Sequence, residues 1–486
     1  MWVKNFVDLK KGTAFLLAVF SISTQAFSEY NQAGIPDSAE IRKELSDEWF
    51  NQPMPLLRSK KAEHRTDAIG NLFEIRLEDS PSECAIVISP ETYEEVEYTE
   101  GEKTLSQKKP SYNKGSAGSW ILYKDRNTGK DLRIEWYFAN DKDVYLVFRP
   151  SEHKTFADLI VYSCYAARSV PLGVDFKNFY SMSFQDVFVL TKKALPWYKV
   201  DFSNNDYTEI KEMLKIIQAK LPSINYAENA ACDEDGQVHN ILTGELYSAQ
   251  EKDYSSFLRQ KAESAEPSAE NILTLGEEGF VKWIADGIIQ RVTGNATSIA
   301  QMLEPTELSY GNPIDAQKKK FSKDNKTKTL DWSRNLAAEA FRVRLPKSAA
   351  SRDSSAENTD WKKYGVDVSI KPFVSRLLPS GKVVNTAGYV ADTGYSIEEL
   401  TGMLYVLACI EPGWFYLGAI REPSSDLNTL MFNHCAAFFP YFENGHLECM
   451  IFQSGKLFTL EEFIALYPKN FIHLERIKSF AYFNPF

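Results

Sequence analysis

The chain is poor in features that would place it quickly. It has no CxxC, no HExxH and no spaced Cys/His set, so its motifs call for no metal and no cofactor. Its six cysteines in 486 residues are too sparse for a disulfide-built scaffold. It lacks an excess of positive charge. Lys and Arg number 55 against 66 Asp and Glu, a net −11. That balance speaks against nucleic acid or an anionic membrane as main partner, since both are held by Lys and Arg. The one long apolar stretch lies near the start and is too short to span a bilayer, which excludes a polytopic membrane protein. There is no internal repeat. What is present suits a globular protein: 44% hydrophobic residues, including 13% aromatic, are enough apolar material to offset chain entropy. At about 150 residues per domain the length predicts about three domains, or two with insertions.

The first 28 residues read as an export signal. Lys4, Lys10 and Lys11 precede an apolar core, Ala14 to Ile22, and Ala26-Phe27-Ser28 offers a small-x-small cleavage site. No Cys follows the core, so a lipid acceptor is missing. Removing 1–28 takes away three Lys and one Asp, and the net charge moves from −11 to −13. The expectation is an exported protein, periplasmic, at the cell surface or secreted, with no integral membrane segment after cleavage. Cys84, Cys164, Cys232, Cys409, Cys435 and Cys449 are an even set, which permits disulfides without requiring them.

Residues 29–65 are polar and expected to be loosely ordered. From 66 to 202 the pattern is that of short strands. Phe73, Ile75 and Leu77 alternate with Glu74, Arg76 and Glu78, a period of two. Further β-rich runs are 84–89, 93–99, 119–123, 132–138, 144–148, 156–164 and 186–190. The turns Asn127-Thr128-Gly129-Lys130 and Asn140-Asp141-Lys142-Asp143 separate some of them. Seven or eight such strands predict an all-β, sandwich-like domain. A Cys84–Cys164 bridge and two buried free thiols both fit. Beyond it, Ile210, Met213, Leu214, Ile217 and Leu221 form one apolar stripe, predicting a helix over 207–221 that Pro222 stops. Asp233-Glu234-Asp235-Gly236 reads as a plain turn, because the spaced final Glu of a calcium loop is missing. The polar stretches 246–272, 318–328 and 348–363 read as linker or surface loops.

The C-terminal half carries an ordered set of pieces. Leu275-Gly276-Glu277-Glu278-Gly279-Phe280 leads into a helix with Trp283, Ile284 and Ile288 at helical spacing. Asp331-Trp332-Ser333 opens another. A helix over 396–407 precedes the turn Pro412-Gly413 and a strand. A second strand opens with His434-Cys435, turns at Glu443-Asn444-Gly445 and returns through Leu447 to Gln453. A helix over 458–467 and a strand over 471–477 with His473 follow. This order resembles the NlpC-type papain-like cell-wall peptidases. There, a Cys at the start of a helix attacks a peptide bond, a His opens a strand, and a polar residue on the return strand orients it. The resemblance covers about 207–477. It implies a papain-like α+β domain over 205–486, with His434 as the His and Gln453 as the third residue, Glu448 being the runner-up. Gly279-Phe280 matches the end of the family's "CSGF".

The departure from that pattern carries as much information. Glu277-Glu278 stands where the family has Cys-Ser. A carboxylate attacking an amide would form an anhydride, and two acids at a helix start are also ordinary capping electrostatics. An alternative alignment offers Ser333 as a hydroxyl nucleophile. Cys435 follows His434 on a strand and faces the other side. Cys409 lies at the wrong helix pole for thiolate stabilisation. His446 and His473 read as structural or exposed. The site residues to follow are therefore His434, Gln453, Glu277 and Ser333. The expected function is that of a degenerate papain-like module binding cell-wall peptide. Its alternatives are an active peptidase or amidase with a displaced nucleophile, and a surface protein acting through its β domain. The sequence does not set the oligomeric state.

Overall fold

The computed structural model of the chain describes residues 34–100, 103–152, 154–247, 273–306, 327–345, 361–386, 388–422 and 432–485. The predicted signal at 1–28 lies outside them, as do 248–272, 318–326 and 348–360 of the polar stretches. Contacts divide the chain into Met1–Gly34 and Ile35–Phe486, and the sheets and helices described here belong to the second unit.

Ten strands form one antiparallel sheet. Its order is Glu63–Thr66, Leu72–Asp79, Glu83–Pro90, Trp120–Asp125, Asp131–Trp136, Val144–Ser151, Lys154–Val161, Cys164–Leu172, Ser375–Leu377 and Val383–Val384. The sandwich expected for this region thus takes the form of a single continuous sheet. Helical segments take the place of a second sheet on one face. Phe50 and Tyr180 pack on Trp120, and Phe179 stacks on Phe148. The stretch expected to be loose is ordered from residue 35 on, with helices Ala39–Leu45 and Met54–Ser59. Arg42 explains why. It is fully buried over Trp120 and Trp136 and donates to the carbonyls of Phe179, Tyr180 and Met182. Residues 186–190, read as a strand, belong instead to helix Phe184–Thr191, because Ser183 and Asp186 close a reciprocal cap. All six cysteines are free, and Cys84 donates to Asp79 at 3.0 Å. Among the described residues, Thr92–Glu100 and Lys103–Ser111 pair only with each other, as a hairpin.

A second antiparallel sheet has six strands. Its order is Tyr395–Ser396, Phe471–Lys478, Trp414–Arg421, Phe432–Glu443, His446–Gln453 and Lys456–Phe458. One face carries Tyr416, Ile420, Ala436, Phe438, Ile451 and Ile472 against helices Leu400–Ile410 and Leu460–Leu466. The alternate residues, Ala419 and Phe432, meet Leu330 of helix Lys328–Arg342. Helix Glu277–Thr293 packs beside that helix, whose Trp332 indole donates to the Glu278 carbonyl at 2.9 Å.

The two sheets are tied together by chain that crosses between them. Ser375–Leu377 comes from the C-terminal half but pairs with Cys164–Leu172. Asn205 donates to the carbonyls of Ala408 and Cys409, satisfying the open end of helix Leu400–Ile410. Helix Thr208–Lys220 buries Ile210, Met213, Leu214 and Ile217, the stripe read from the sequence.

Candidate functional site

Two of the sequence-predicted residues meet. Glu277 is the first residue of its helix, where the exposed N–H groups and the dipole favour an anion. Gly276 and Gly279 allow this end of the helix to lie against the backbone. A Cβ at Gly279 would stand 2.2 Å from the Ala230 carbonyl, and one at Gly276 would stand 2.8 Å from the Asn229 nitrogen. Both Glu277 oxygens lie 3.2 Å from His434 Nδ1. The Cys435 backbone N–H donates to Oε2 at 3.0 Å, and the Ser454 hydroxyl donates to Oε1 at 3.2 Å. On its other side His434 Nε2 is 3.5 Å from Glu422. The hydrogen bond to Glu277 raises the His434 pKa above 6.5 against the opposing effect of burial, so the imidazolium is favoured. The His434 side chain remains 33% exposed, whereas that of Glu277 is 13% exposed.

Gln453 reaches this pair through an intermediary. It is buried and donates to the Tyr467 hydroxyl at 2.7 Å, and the Tyr467 ring lies 5.6 Å from the His434 ring. Glu448 is opposite Tyr441 in the register, seven residues along the strand from His434, and is remote from the site. Ser333 does not join. Its hydroxyl is fully buried and, among the described residues, has no hydrogen-bond partner and so no base to activate it. Cys435 is fully buried, and burial pushes its thiol well above its ordinary value. Cys409 is held up in the same way by burial. Trp332 is core.

Glu278 turns the other way. Burial would raise its pKa, but Lys328 at 2.8 Å and the Thr329 hydroxyl at 2.9 Å outweigh that and hold it below the usual value. The adjacent acids therefore have separate duties. Glu277 faces His434, and Glu278 anchors the neighbouring helix.

Sequence reading missed Ser454, Tyr467 and Glu422. Ser454 was recoverable. Ser454-Gly455 is the two-residue turn between Gln453 and Lys456, and both residues have positive φ, at 52° and 70°. It also missed a buried charged cluster around His473, which is fully enclosed, the structural one of its two readings. His473 Nδ1 is 2.7 Å from Glu475, and Nε2 is 3.1 Å from the Tyr389 hydroxyl and 3.4 Å from Arg334. Arg334 pairs with Asp367 at 2.8 Å and Asp392 at 2.9 Å, and stacks on Trp361. Donor atoms of Asp367, His473 and Glu475 come within 4.8 Å of one another, as metal ligands would. The Arg334 guanidinium already supplies the cation for this cluster.

Residues 31–199 match the model of a family described as "Domain of unknown function (DUF8515)". The match covers the first eight strands of the ten-stranded sheet and ends before the Glu277–His434 site. No curated protein and no solved structure matches the chain. Among the described residues, no helix is long and apolar enough to cross a membrane.

Proposed function

We propose that the C-terminal half is a degenerate papain-like domain of NlpC type, and that this exported envelope protein uses it to bind cell-wall peptide without cleaving it. The observation that carries this reading is the Glu277–His434 pair. A carboxylate at a helix N-terminus meets the imidazole of a strand-opening His, where a peptidase of this type would hold its thiolate. Glu277 accepts from His434, the Cys435 amide and the Ser454 hydroxyl at once. A carboxylate engaged in this way is a poor nucleophile. The displaced-nucleophile alternative finds no support in Ser333 or Cys435, both fully buried. The half-exposed imidazolium, with Glu422 and Tyr467 beside it, retains polar groups suited to holding a peptide.

The test uses the purified chain with insoluble peptidoglycan, reading protein retained and peptides released in one tube. Retention without release, weakened in His434→Ala, is the expected outcome. Peptide release that disappears in His434→Ala would replace this reading with an enzyme.

A second reading, a surface interaction protein acting through the β region, is favoured by the hairpin Thr92–Ser111. It exposes Tyr93, Tyr98 and Leu105. Replacing residues 93–110 by a short Gly-Ser turn should abolish partner capture if the hairpin is the contact, and should leave wall retention intact under the first reading.

A further inference from the structure

Helix Glu277–Thr293 has a second working face. A cavity of about 210 Å³ opens beside it, walled by Leu273, Leu275, Gly279, Trp283 and Ala296, with Cys232 at its edge. An apolar protein cavity of about 150 Å³ holds benzene, so this one has room for on the order of nine non-hydrogen atoms. Its polar side chains are Asp233, Glu234, Lys282, Asp286 and Gln290. Lys282 lines the cavity yet is only 2% exposed. Among the described residues its ammonium has a single hydrogen-bond acceptor, Asp286 Oδ2 at 2.5 Å. An ammonium carries three donors, so two remain. Asp286 is fixed from behind, its Oδ1 accepting from the Thr297 amide and hydroxyl. Glu234 also lines the cavity, as does Asp233, whose oxygens are taken by His239 Nε2 at 2.8 Å and by the Asp235 and Gln237 amides.

This balance selects a charge type. A simple carboxylate would meet Lys282 but also Asp286 and Glu234, Asp233 being held by His239. A simple amine would leave the buried Lys282 ammonium facing a like charge. A zwitterion places its carboxylate on Lys282 and its ammonium toward Asp286 and Glu234, with its side chain against Leu273, Leu275 and Trp283. We propose that this cavity binds a small apolar α-amino acid. The proposal does not depend on the peptide-binding reading of the His434 site.

Cys232 gives a local readout, being half-buried at the cavity edge. Burial pushes its thiol to about 11, so labelling is slow and is run for hours at about pH 8, where leucine is still a zwitterion and Lys282 is still charged. Iodoacetamide labelling of the full chain is followed by peptide mass spectrometry at Cys232, with Cys449 as internal control. L-leucine or D-leucine at about 10 mM should slow Cys232 labelling by about tenfold, while 4-methylpentanoate and isopentylamine should not. The protection should vanish in Lys282→Met. If that variant does not fold, Ala296→Phe, which fills the half-exposed rim, takes its place with the same expectation. No protection by either enantiomer, equal protection by the simple acid or amine, or protection that survives the substitution would each overturn the proposal.

Discussion

Glu277 is the residue on which the His434 site turns, because one carboxylate satisfies an imidazole, a backbone amide and a hydroxyl together. Its pairing has a sign that pH can read. A His whose folded pKa is raised contributes stability that is fully present below its ordinary 6.5 and is lost as pH rises through the raised value. Glu277→Gln should therefore cost more near pH 5.5 than near pH 9. The pair is a third exposed on the His side, so the difference should be no more than about 1 kcal/mol. Urea denaturation at the two pH values measures it, and an equal loss at both would mean that the charge pairing is not the source. Glu277→Cys probes the geometry. A thiol at this helix N-terminus, facing His434 Nδ1, should have a lowered pKa and alkylate at pH 7 at least about tenfold faster than Cys449. A rate no faster than that of Cys449 would show that the place does not activate a thiol.

The helices hold these residues through close backbone approach and buried charge. Gly279 has no room for a methyl group against the Ala230 carbonyl. Gly279→Ala should cost about 1–3 kcal/mol, as overpacking does, and displace the helix start from His434. Thermal unfolding and the His434 titration by NMR would report both effects. On the neighbouring helix, buried Arg334 compensates the largely buried Asp367 and the third-exposed Asp392. Arg334→Met should destabilise by about 3–5 kcal/mol, because it removes the buried guanidinium that pairs with Asp367 and Asp392. Denaturant midpoints measure it, and a loss below about 1 kcal/mol would mean that the cluster is dispensable.

At the scale of the whole molecule, His473 and Glu475 shape the pH dependence of stability. Burial drives His473 well below 6.5 and Glu475 well above 4.5, so burial favours the pair as a neutral imidazole beside a protonated acid. It holds one proton. The unfolded chain holds two below 4.5, one between 4.5 and 6.5, and none above. Stability from this pair is therefore flat between those values, and falls by up to about 1.4 kcal/mol per pH unit on either side. Glu475→Gln should remove the alkaline fall, which denaturation profiles from pH 4 to 9 would show. The sheets are joined at the same scale. Ser375–Leu377 covers the edge of Cys164–Leu172, so a fragment ending at residue 202 should expose that edge and aggregate more readily than the full chain.

Local chemistry made much of this legible. Period-two alternation marked Leu72–Asp79, the apolar stripe marked Thr208–Lys220, and Asn444-Gly445 marked the hairpin that returns to Gln453. The His434 and Glu277 positions were legible from the order of elements. Their meeting was not, since 157 residues separate them and only packing brings the helix end to the strand. Phe184–Thr191 was misread because its cap outweighs its β-like composition. Arg42 and Arg334 look like surface charges in the sequence, and only the folded chain, by surrounding them with carbonyls, carboxylates and aromatic rings, makes them core. The sequence by itself determined most of the strands, the longer helices and several turns, because those follow from neighbours a few residues apart. Tertiary structure decided which of two adjacent glutamates faces the histidine and which charges are buried, because burial and long-range pairing exist only once distant segments share a core.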